Sequence, residues 1–427
     1  MSWQNWGRTH SATPARELTP DSVEEISEIV STAAQSGSTV KTVGAGHSFS
    51  AIAVPGDTLL RLSALRGLVG VQDDRATLRA GTHLHEIPAL LAPHGLAMAN
   101  LGDIDKQTIA GATSTGTHGT GLGFGGISTQ IIGLELVTGT GEVCSVTEPA
   151  QLQAAALGLG ALGVITAVTL QCVPAFSIEA VEGPAHIDDV LADLDRSIQQ
   201  TDHFEFYWFP HTDRALTKHN RRIDGLVDPS GPGALRRYLD DELLSNKVFG
   251  AICRIGAAVP AIVPMVNKIS GNALSGRRIV DSSAAVFTSD RTVRFREMEY
   301  AVPLQNLPEA FDGVRKVIAD KGYRVSFPIE VRIAAADDLM LSTASGRASG
   351  YVAVHRYAGD RSDDYFRDVE AVMTALGGRP HWGKMHTRDT EYLRTVYPRF
   401  DEFLSVRDEF DPDRVFANDY LRQVLGN

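Results

Sequence analysis

Apolar positions along the chain change period several times, and those changes mark out its elements. From Thr19 to Gly37, Val23, Ile26, Val30 and Ala33/Ala34 recur at helical spacing, with Thr19 placed to cap, Pro20 in the first turn and Gly37 at the end. Thr39 to Val43 alternates in the β manner and runs into the turn Gly44-Ala45-Gly46. Thr58 to Leu62 predicts a short strand, and Leu68 to Val71 with Ala76 to Ala80 predicts a hairpin around Asp73-Asp74. Ile131 to Val137 and Thr166 to Cys172 read as further strands, the second reached through the glycine-spaced apolar run Leu157 to Ile165. The first third is therefore expected to be α+β.

Past Val173-Pro174 the glycines thin out and longer amphipathic stretches appear, Ile187 to Ile198 and Leu307 to Lys321, with strands expected over Phe327 to Ala334 and Tyr351 to Tyr357. From Thr387 helical spacing returns at Tyr392-Leu393 and at Phe400, Phe403 and Leu404, before a turn at Asp411-Pro412. The chain divides on this reading into residues 1–173, 174–386 and 387–427. Its most apolar stretch, 248–266, is cut by Arg254, Pro260 and Pro264 and falls short of the ~20 uninterrupted apolar residues of a membrane span. A buried helix pair or a subunit contact is expected there, with contact to a lipid surface as the alternative.

Composition narrows the partners. With 427 residues, 43% of them apolar, the chain can bury a large core. Forty Lys and Arg against 52 Asp and Glu leave a net charge of −12 with no basic block, which argues against nucleic acid. Cys144, Cys172 and Cys253 are scattered and in no CxxC pair, so neither a disulfide framework nor a zinc site, nor any other metal centre, is expected. The N-terminus, with Trp3 and Trp6 among polar residues, lacks the layout of a signal peptide. A reducing, cytoplasmic setting follows.

Chemistry is suggested first by glycine. The segment Gly111 to Gly126 interleaves seven glycines with Ser114, Thr115, Thr117, His118 and Thr120. Such a stretch cannot fill a core; it offers backbone N–H groups and small hydroxyls to an anionic ligand such as a pyrophosphate. Gly44-Ala45-Gly46-His47-Ser48 would turn sharply after a strand and display His47, although an exposed loop reads the same way. It is not the GxGxxG fingerprint of nicotinamide folds. Glu330 and Arg332, two apart on a strand, share a face, either as a surface ion pair or as part of a site.

Taken with Gly111-Ala112-Thr113-Ser114-Thr115-Gly116-Thr117-His118-Gly119-Thr120-Gly121, Glu330-Val331-Arg332 and His381-Trp382-Gly383-Lys384, the turn at His47 carries a resemblance. The chain resembles the aldonolactone and alditol oxidoreductases of the vanillyl-alcohol-oxidase type of flavoprotein, the group that includes L-gulonolactone oxidase and D-arabinonolactone oxidase. The resemblance covers nearly the whole chain. It implies a two-subdomain, PCMH-type FAD-binding domain, a substrate domain built on a large antiparallel sheet covered by helices, and a tail returning to the flavin.

It also implies roles. Thr42, Val43, Gly44, Ala45, Gly46, Ser48, Gly102, Thr108 and Ile165 would contact FAD, with Gly111, Ser114, Thr115, Gly116, Thr117 and His118 around the pyrophosphate. His47 would be the residue joined covalently to the flavin, which needs a neutral, nucleophilic imidazole held in place. Glu330, Arg332 and Lys384 would be catalytic, the cations stabilising developing negative charge and the glutamate accepting hydrogen bonds from substrate hydroxyls. Asp103, His355 and Tyr357 would meet substrate. Asp103 and the bulky Tyr357 replace smaller hydroxyl residues of alditol-acting relatives, which favours an aldono-1,4-lactone over an alditol. Gly102 would leave room for dioxygen, with another redox acceptor as the alternative. Rival readings are an alditol oxidase, a flavin carrier without turnover and a nicotinamide-linked reductase.

Overall fold

The computed structural model describes residues 2–231, 249–289, 292–360 and 363–427, and the statements below concern those residues. Near the N-terminus a small parallel sheet is formed by β1 (Arg16–Leu18), β2 (Val40–Thr42) and β3 (Thr58–Leu60), with β3 in the middle. Helix α1 (Val23–Ser36) buries Ile26, Val30 and Ala33. It begins later than Thr19-Pro20 suggest, because the extended Ser22 accepts a hydrogen bond from the Glu25 amide and so supplies the cap. Gly37 closes it at φ +65°.

A second sheet comprises β4 (Leu68–Gln72), β5 (Arg75–Arg79), β6 (Ile131–Val137), β7 (Val143–Val146) and β8 (Val164–Gln171), in the order β7-β6-β8-β5-β4 and antiparallel throughout. The β4–β5 turn falls at Asp73, φ +55°, as the paired aspartates imply. The glycine-rich segment does not start as a loop: Ile109–Ser114 forms helix α2, capped by Thr108. One apolar core joins both sheets to the C-terminal helices, with Leu60, Leu78, Val168, Phe403 and Leu421 buried in it.

The rest of the chain builds one antiparallel eight-stranded sheet. Its strands are β9 (Phe176–His186), β10 (His203–Trp208), β11 (Arg214–Asp224), β12 (Arg277–Ser282), β13 (Phe295–Pro303), β14 (Ile329–Ala334), β15 (Ser349–Tyr357) and β16 (Arg379–Pro380), ordered β12-β9-β11-β10-β14-β15-β13-β16. Strand alternation gives it two faces. Phe204, Phe206, Met298, Val302, Val331 and Val354 pack against Leu307–Lys321, Asp364–Ala375 and the helices at 187–200. That last stretch is two helices, Ile187–Ala192 and Leu194–Gln200, divided at Asp193, and not one run. Glu205, Tyr207, Glu297, Glu299, Glu330, Arg332 and His355 occupy the opposite face, turned towards the cofactor-loop side of the molecule.

The apolar stretch at 248–266 begins at Val248, outside the described residues; beyond it lie α3 (Phe249–Ala258) and α4 (Val263–Asn272). Gly256 and Val263 are buried where the two helices meet, and Cys253 is buried in a cluster with Phe49, Phe295 and Phe327. The pair is only half covered, because Ile255, Val259, Met265 and Ile269 are exposed. No helix is long and apolar enough to cross a membrane. The tail forms α5 (Thr390–Val396), α6 (Phe400–Phe410) and α7 (Asp419–Leu425).

Candidate active site

Strand β2 delivers the chain into Gly44-Ala45-Gly46-His47-Ser48, and the geometry there needs glycine. A Cβ on Gly44 would lie 2.4 Å from the Thr108 hydroxyl, and Gly46 has φ +70°. Among the described residues, the amides from Gly44 to Ser48 donate to no protein acceptor. They line a compartment of about 290 Å³ with Thr42, Val43, Gly81, Thr108, Gly111, Ser114, Thr115 and Ile165. In α2, by contrast, the first amides are already used: Ile109 and Ala110 donate to the carbonyls of Thr82 and Ala80, and Gly111 to the Thr108 hydroxyl. The free donors for an anion therefore sit mainly on the Gly44 loop rather than along Gly111 to Gly121. Gly81 approaches the Leu62 carbonyl so closely that a Cβ would stand 1.9 Å from its oxygen.

A second compartment, of about 150 Å³, opens between that loop and the polar face of the large sheet. The two share His47, Ser48, Gln107 and Thr115, so one elongated ligand can run through both. Free amides over a glycine-shaped groove at one end, and a charged chamber at the other, fit the diphosphate and ring system of FAD.

His47 stands at the junction. Its ring stacks on Trp6, with centroids 5.5 Å apart. Burial, reinforced by the nearby charge of Lys384, pulls its pKa down to about 4, so the imidazole is neutral near pH 7.

Opposite His47, the sheet register assembles two charge groups. Tyr207 pairs with Glu330, Glu330 with Ala353 and Ala353 with Glu299, so one row crosses four strands, with the small Ala353 in its floor. Arg332 contacts Glu330 and donates to Glu205 at 2.9 Å. Lys218 Nζ lies 3.0 Å from Glu205, and the Tyr207 hydroxyl, with one proton to donate, lies 3.1 Å from Glu205 and 3.0 Å from Glu330. The second group centres on Lys384, whose Nζ is 2.5 Å from Glu297 and 4.0 Å from Glu299. His355 Nε2 lies 3.5 Å from Glu297, and His118 Nε2 is 3.3 Å from Glu299. His118, Glu299 and His381 bring one possible metal-ligand atom each within 4.8 Å of one another, but Lys384 already supplies positive charge at this carboxylate.

These neighbours divide the carboxylates by state. Burial would raise the pKa of Glu205, but Lys218 and Arg332 outweigh it and hold it at about 2. Glu297 is likewise held at about 2 by Lys384 and His355 against burial. Glu330 goes the other way: burial dominates, Arg332 only partly offsets it, and its carboxyl rises above the ordinary range. Lys384 stays a cation because Glu297 and Glu299 overcome its burial.

The predicted residues divide between the two compartments, with His47, Ser48 and Thr115 in both. His47, Ser48, Gly102, Asp103, Thr115, Thr117, His118, Glu330, Arg332, His355 and Lys384 line the charged chamber, while Thr42 to Gly46, Thr108, Gly111, Ser114 and Ile165 line the other compartment. Two fall in neither. Gly116, at φ +79°, lies against Leu157, and Tyr357, at the end of β15, lines a separate surface hollow with Arg296 and Gly359. Tyr357 therefore does not narrow the chamber, and its bulk is no argument about substrate. Tyr207, Glu297, Glu299, Gln107 and His381 line the site without having been singled out, and Glu205 sits behind it as the partner of Arg332 and Lys218. A signal existed in Phe295 to Pro303, where Glu297 and Glu299 alternate with Met298, Tyr300 and Val302: two acids on one face of an apolar strand need partners.

Residues 14–147 match a model of an FAD-binding domain, and residues 168–424 match the D-arabinono-1,4-lactone oxidase family. L-gulono-1,4-lactone dehydrogenase of Mycobacterium tuberculosis is 41% identical over 426 residues, covering 99% of each chain. L-gulonolactone oxidase of Scyliorhinus torazame is 34% identical over 439 residues, covering 99% of this chain and 98% of its own. The solved cholesterol oxidase of B. sterolicum superposes with a TM-score of 0.82 at 18% identity, covering 99% of this chain and 96% of that one, a likeness of fold. With a family match across most of its length and full-length relatives above 30% identity, this FAD-binding chain belongs to the D-arabinono-1,4-lactone oxidase family.

Proposed function

We propose that the protein oxidises a secondary hydroxyl beside the carbonyl of an aldono-1,4-lactone of the L-gulono or D-arabinono type. The observation that carries this is one chamber bounded by His47 on one side and by Glu330, Arg332 and Lys384 on the other. Bound FAD supplies the hydride acceptor. Gly44 to Ser48, Thr108, Gly111, Ser114, Thr115 and Ile165 would hold its dinucleotide part, and His47 would bond to its ring, as a neutral imidazole fixed by Trp6 can. Arg332 and Lys384 hold fixed positive charge over the chamber, Asp103 and His355 meet the sugar hydroxyls, and Glu330 accepts the hydrogen bond of the reacting hydroxyl and then its proton. The division 1–173, 174–386 and 387–427 would assign these tasks to cofactor, substrate and returning segments.

Asp103 supports a lactone over an alditol: it lines the chamber and accepts from Ser289 Oγ at 2.5 Å, a carboxylate where alditol-acting relatives present a hydroxyl. Gly102 lines the chamber, although a Cβ there would meet the His118 carbonyl and the Thr117 methyl at 3.1 Å and not open space, and we take dioxygen as the acceptor in a cytoplasmic setting. Mixing the yellow protein anaerobically with L-gulono-1,4-lactone, D-arabinono-1,4-lactone and xylitol should bleach it with the lactones first. Bleaching by xylitol alone would overturn the substrate class, and negligible peroxide in air beside strong dye reduction would overturn the acceptor. Acid precipitation should give a yellow pellet, and His47→Ala should move the colour to the supernatant; a colourless wild-type pellet removes the covalent bond from the proposal.

A further inference from the structure

Strand β10 alternates in character. Phe204, Phe206 and Trp208 enter the apolar core under the helices, whereas Glu205 and Tyr207 point to the opposite face. Tyr207 is buried, lines the chamber and lies directly opposite Glu330 of β14 in the register. A phenylalanine would fill the same space. The hydroxyl costs desolvation unless a neighbour needs it, and it stands 3.1 Å from Glu205 and 3.0 Å from Glu330 with a single proton to give. Burial and the two acids raise its pKa well above the ordinary phenol value, so that proton stays on Tyr207 at working pH.

Which acid receives it follows from what each already has. Glu205 takes Arg332 at 2.9 Å and Lys218 at 3.0 Å, two cations that leave it little need of a neutral donor. Glu330 shares Arg332 and, among the described residues, touches no second cation. Its two oxygens are not equivalent. The Arg332 guanidinium and the Tyr207 hydroxyl both reach Oε1, while Oε2 has no hydrogen-bond partner among the described residues. An oxygen with two donors on it is a poor base; one with none is free to take a proton.

We propose that Tyr207 is a positioning residue for the proton acceptor: its hydroxyl, together with Arg332, fixes Glu330 through Oε1 and so presents Oε2 to the reacting hydroxyl of the substrate. The inference rests on Glu330 being the base of the reaction proposed above. In turnover the substrate O–H bond breaks, its proton passes to Oε2 and its electron pair closes the carbonyl as hydride leaves for FAD; Tyr207 keeps its own proton.

The same contact sets where Glu330 titrates. The other groups acting on it are Arg332 on its own strand, Glu205 on β10, His355 on β15, Asp103 from the segment before α2, and Lys384. Arg332, His355 and Lys384 favour its anion, and Glu205 and Asp103 disfavour it. Tyr207→Phe changes none of these charges. It withdraws one donor from the ionised form, which raises the pKa further.

The test is the pH profile of lactone oxidation by the FAD-loaded enzyme, with kcat and KM measured separately. Tyr207→Phe should move the acidic limb of kcat/KM up by about one to two pH units, and lower kcat roughly tenfold with KM changed less than about twofold. Added to Glu330→Gln, it should cost kcat nothing more, because both residues act through one carboxyl. Tyr207→difluorotyrosine keeps the ring in place and donates more strongly, so the limb should move down instead; this variant decides the matter if the phenylalanine enzyme loses its flavin. A limb that neither change moves overturns the proposal, as does a loss that adds fully to that of Glu330→Gln, since a tyrosine that only packs lowers the whole profile uniformly. If Glu330→Gln itself keeps the limb, the base assignment fails and this inference fails with it. A limb erased by Glu330→Gln but indifferent to residue 207 removes Tyr207 alone.

Discussion

Glu205 and Glu330 flank the same guanidinium and end in opposite states. Glu205 also has Lys218 and is held ionised, whereas Glu330 shares Arg332 and rises. Of the two, Glu330 is thus the one placed to exchange a proton during turnover. Because its pKa is raised, the base form is lost as pH falls through that raised value, so kcat/KM should carry an acidic limb above the ordinary carboxylate range. Glu330→Gln keeps the shape and the contact to Tyr207 but cannot take a proton. It should lower kcat by about 10²–10⁴-fold, change KM far less and erase that limb. A Glu330→Gln enzyme with normal kcat and an unchanged pH profile would make Glu330 a structural partner of Arg332 only.

At the scale of elements, two short pieces of backbone interlock: the loop after β2 and the first turn of α2. Gly44 is the contact, because its missing Cβ leaves space for the Thr108 hydroxyl, which in turn caps α2 by accepting from Gly111 at 3.3 Å. Gly44→Ala should drive that hydroxyl off the cap, destabilise the protein by about 1–3 kcal/mol and weaken flavin retention during gel filtration. Adding Thr108→Ala removes the clash, so the double variant should hold flavin better than Gly44→Ala alone; additive losses would break the argument. Much at this scale was legible in the sequence. The strand, the Gly-x-Gly turn, Leu307–Lys321 and the shared face of Glu330 and Arg332 follow from local periodicity. The start of α1 was not, since Thr19-Pro20 and Ser22 are both acceptable caps and packing chooses between them. Nor were Glu205 and Glu297, whose partners Arg332 and Lys384 lie far off in sequence and meet only through strand register.

Across the whole molecule, the position of His47 relative to Lys384 depends on a seam far from either in sequence. The Phe49 amide donates to Gly383 at 2.6 Å, and Ser50 Oγ to Trp382 at 2.6 Å, tying the cofactor loop to the lysine segment. The next residues are held from the tail. Asn418 Nδ2 donates to the carbonyls of Ala51, Ile52 and Val54 at 3.0–3.1 Å, while its Oδ1 caps α7 by accepting from Leu421 at 2.9 Å. Asn418→Ala removes both functions and withdraws the NH2 group shared by the three carbonyls, of which Ala51 keeps the Val54 amide, which should cost about 2–4 kcal/mol and lower kcat/KM through a looser loop. Asp at this position separates the two contributions. It is as good a cap as asparagine, yet it aims a buried anion at three carbonyl oxygens. If the seam matters, Asn418→Asp must melt lower than Asn418→Ala at pH 7 and recover as the pH falls and the new carboxyl protonates. If Asn418 acts only as the cap of α7, the aspartate variant should instead resemble wild type in thermal melts, and the loop geometry at His47 would have to be held by the Phe49 and Ser50 contacts alone.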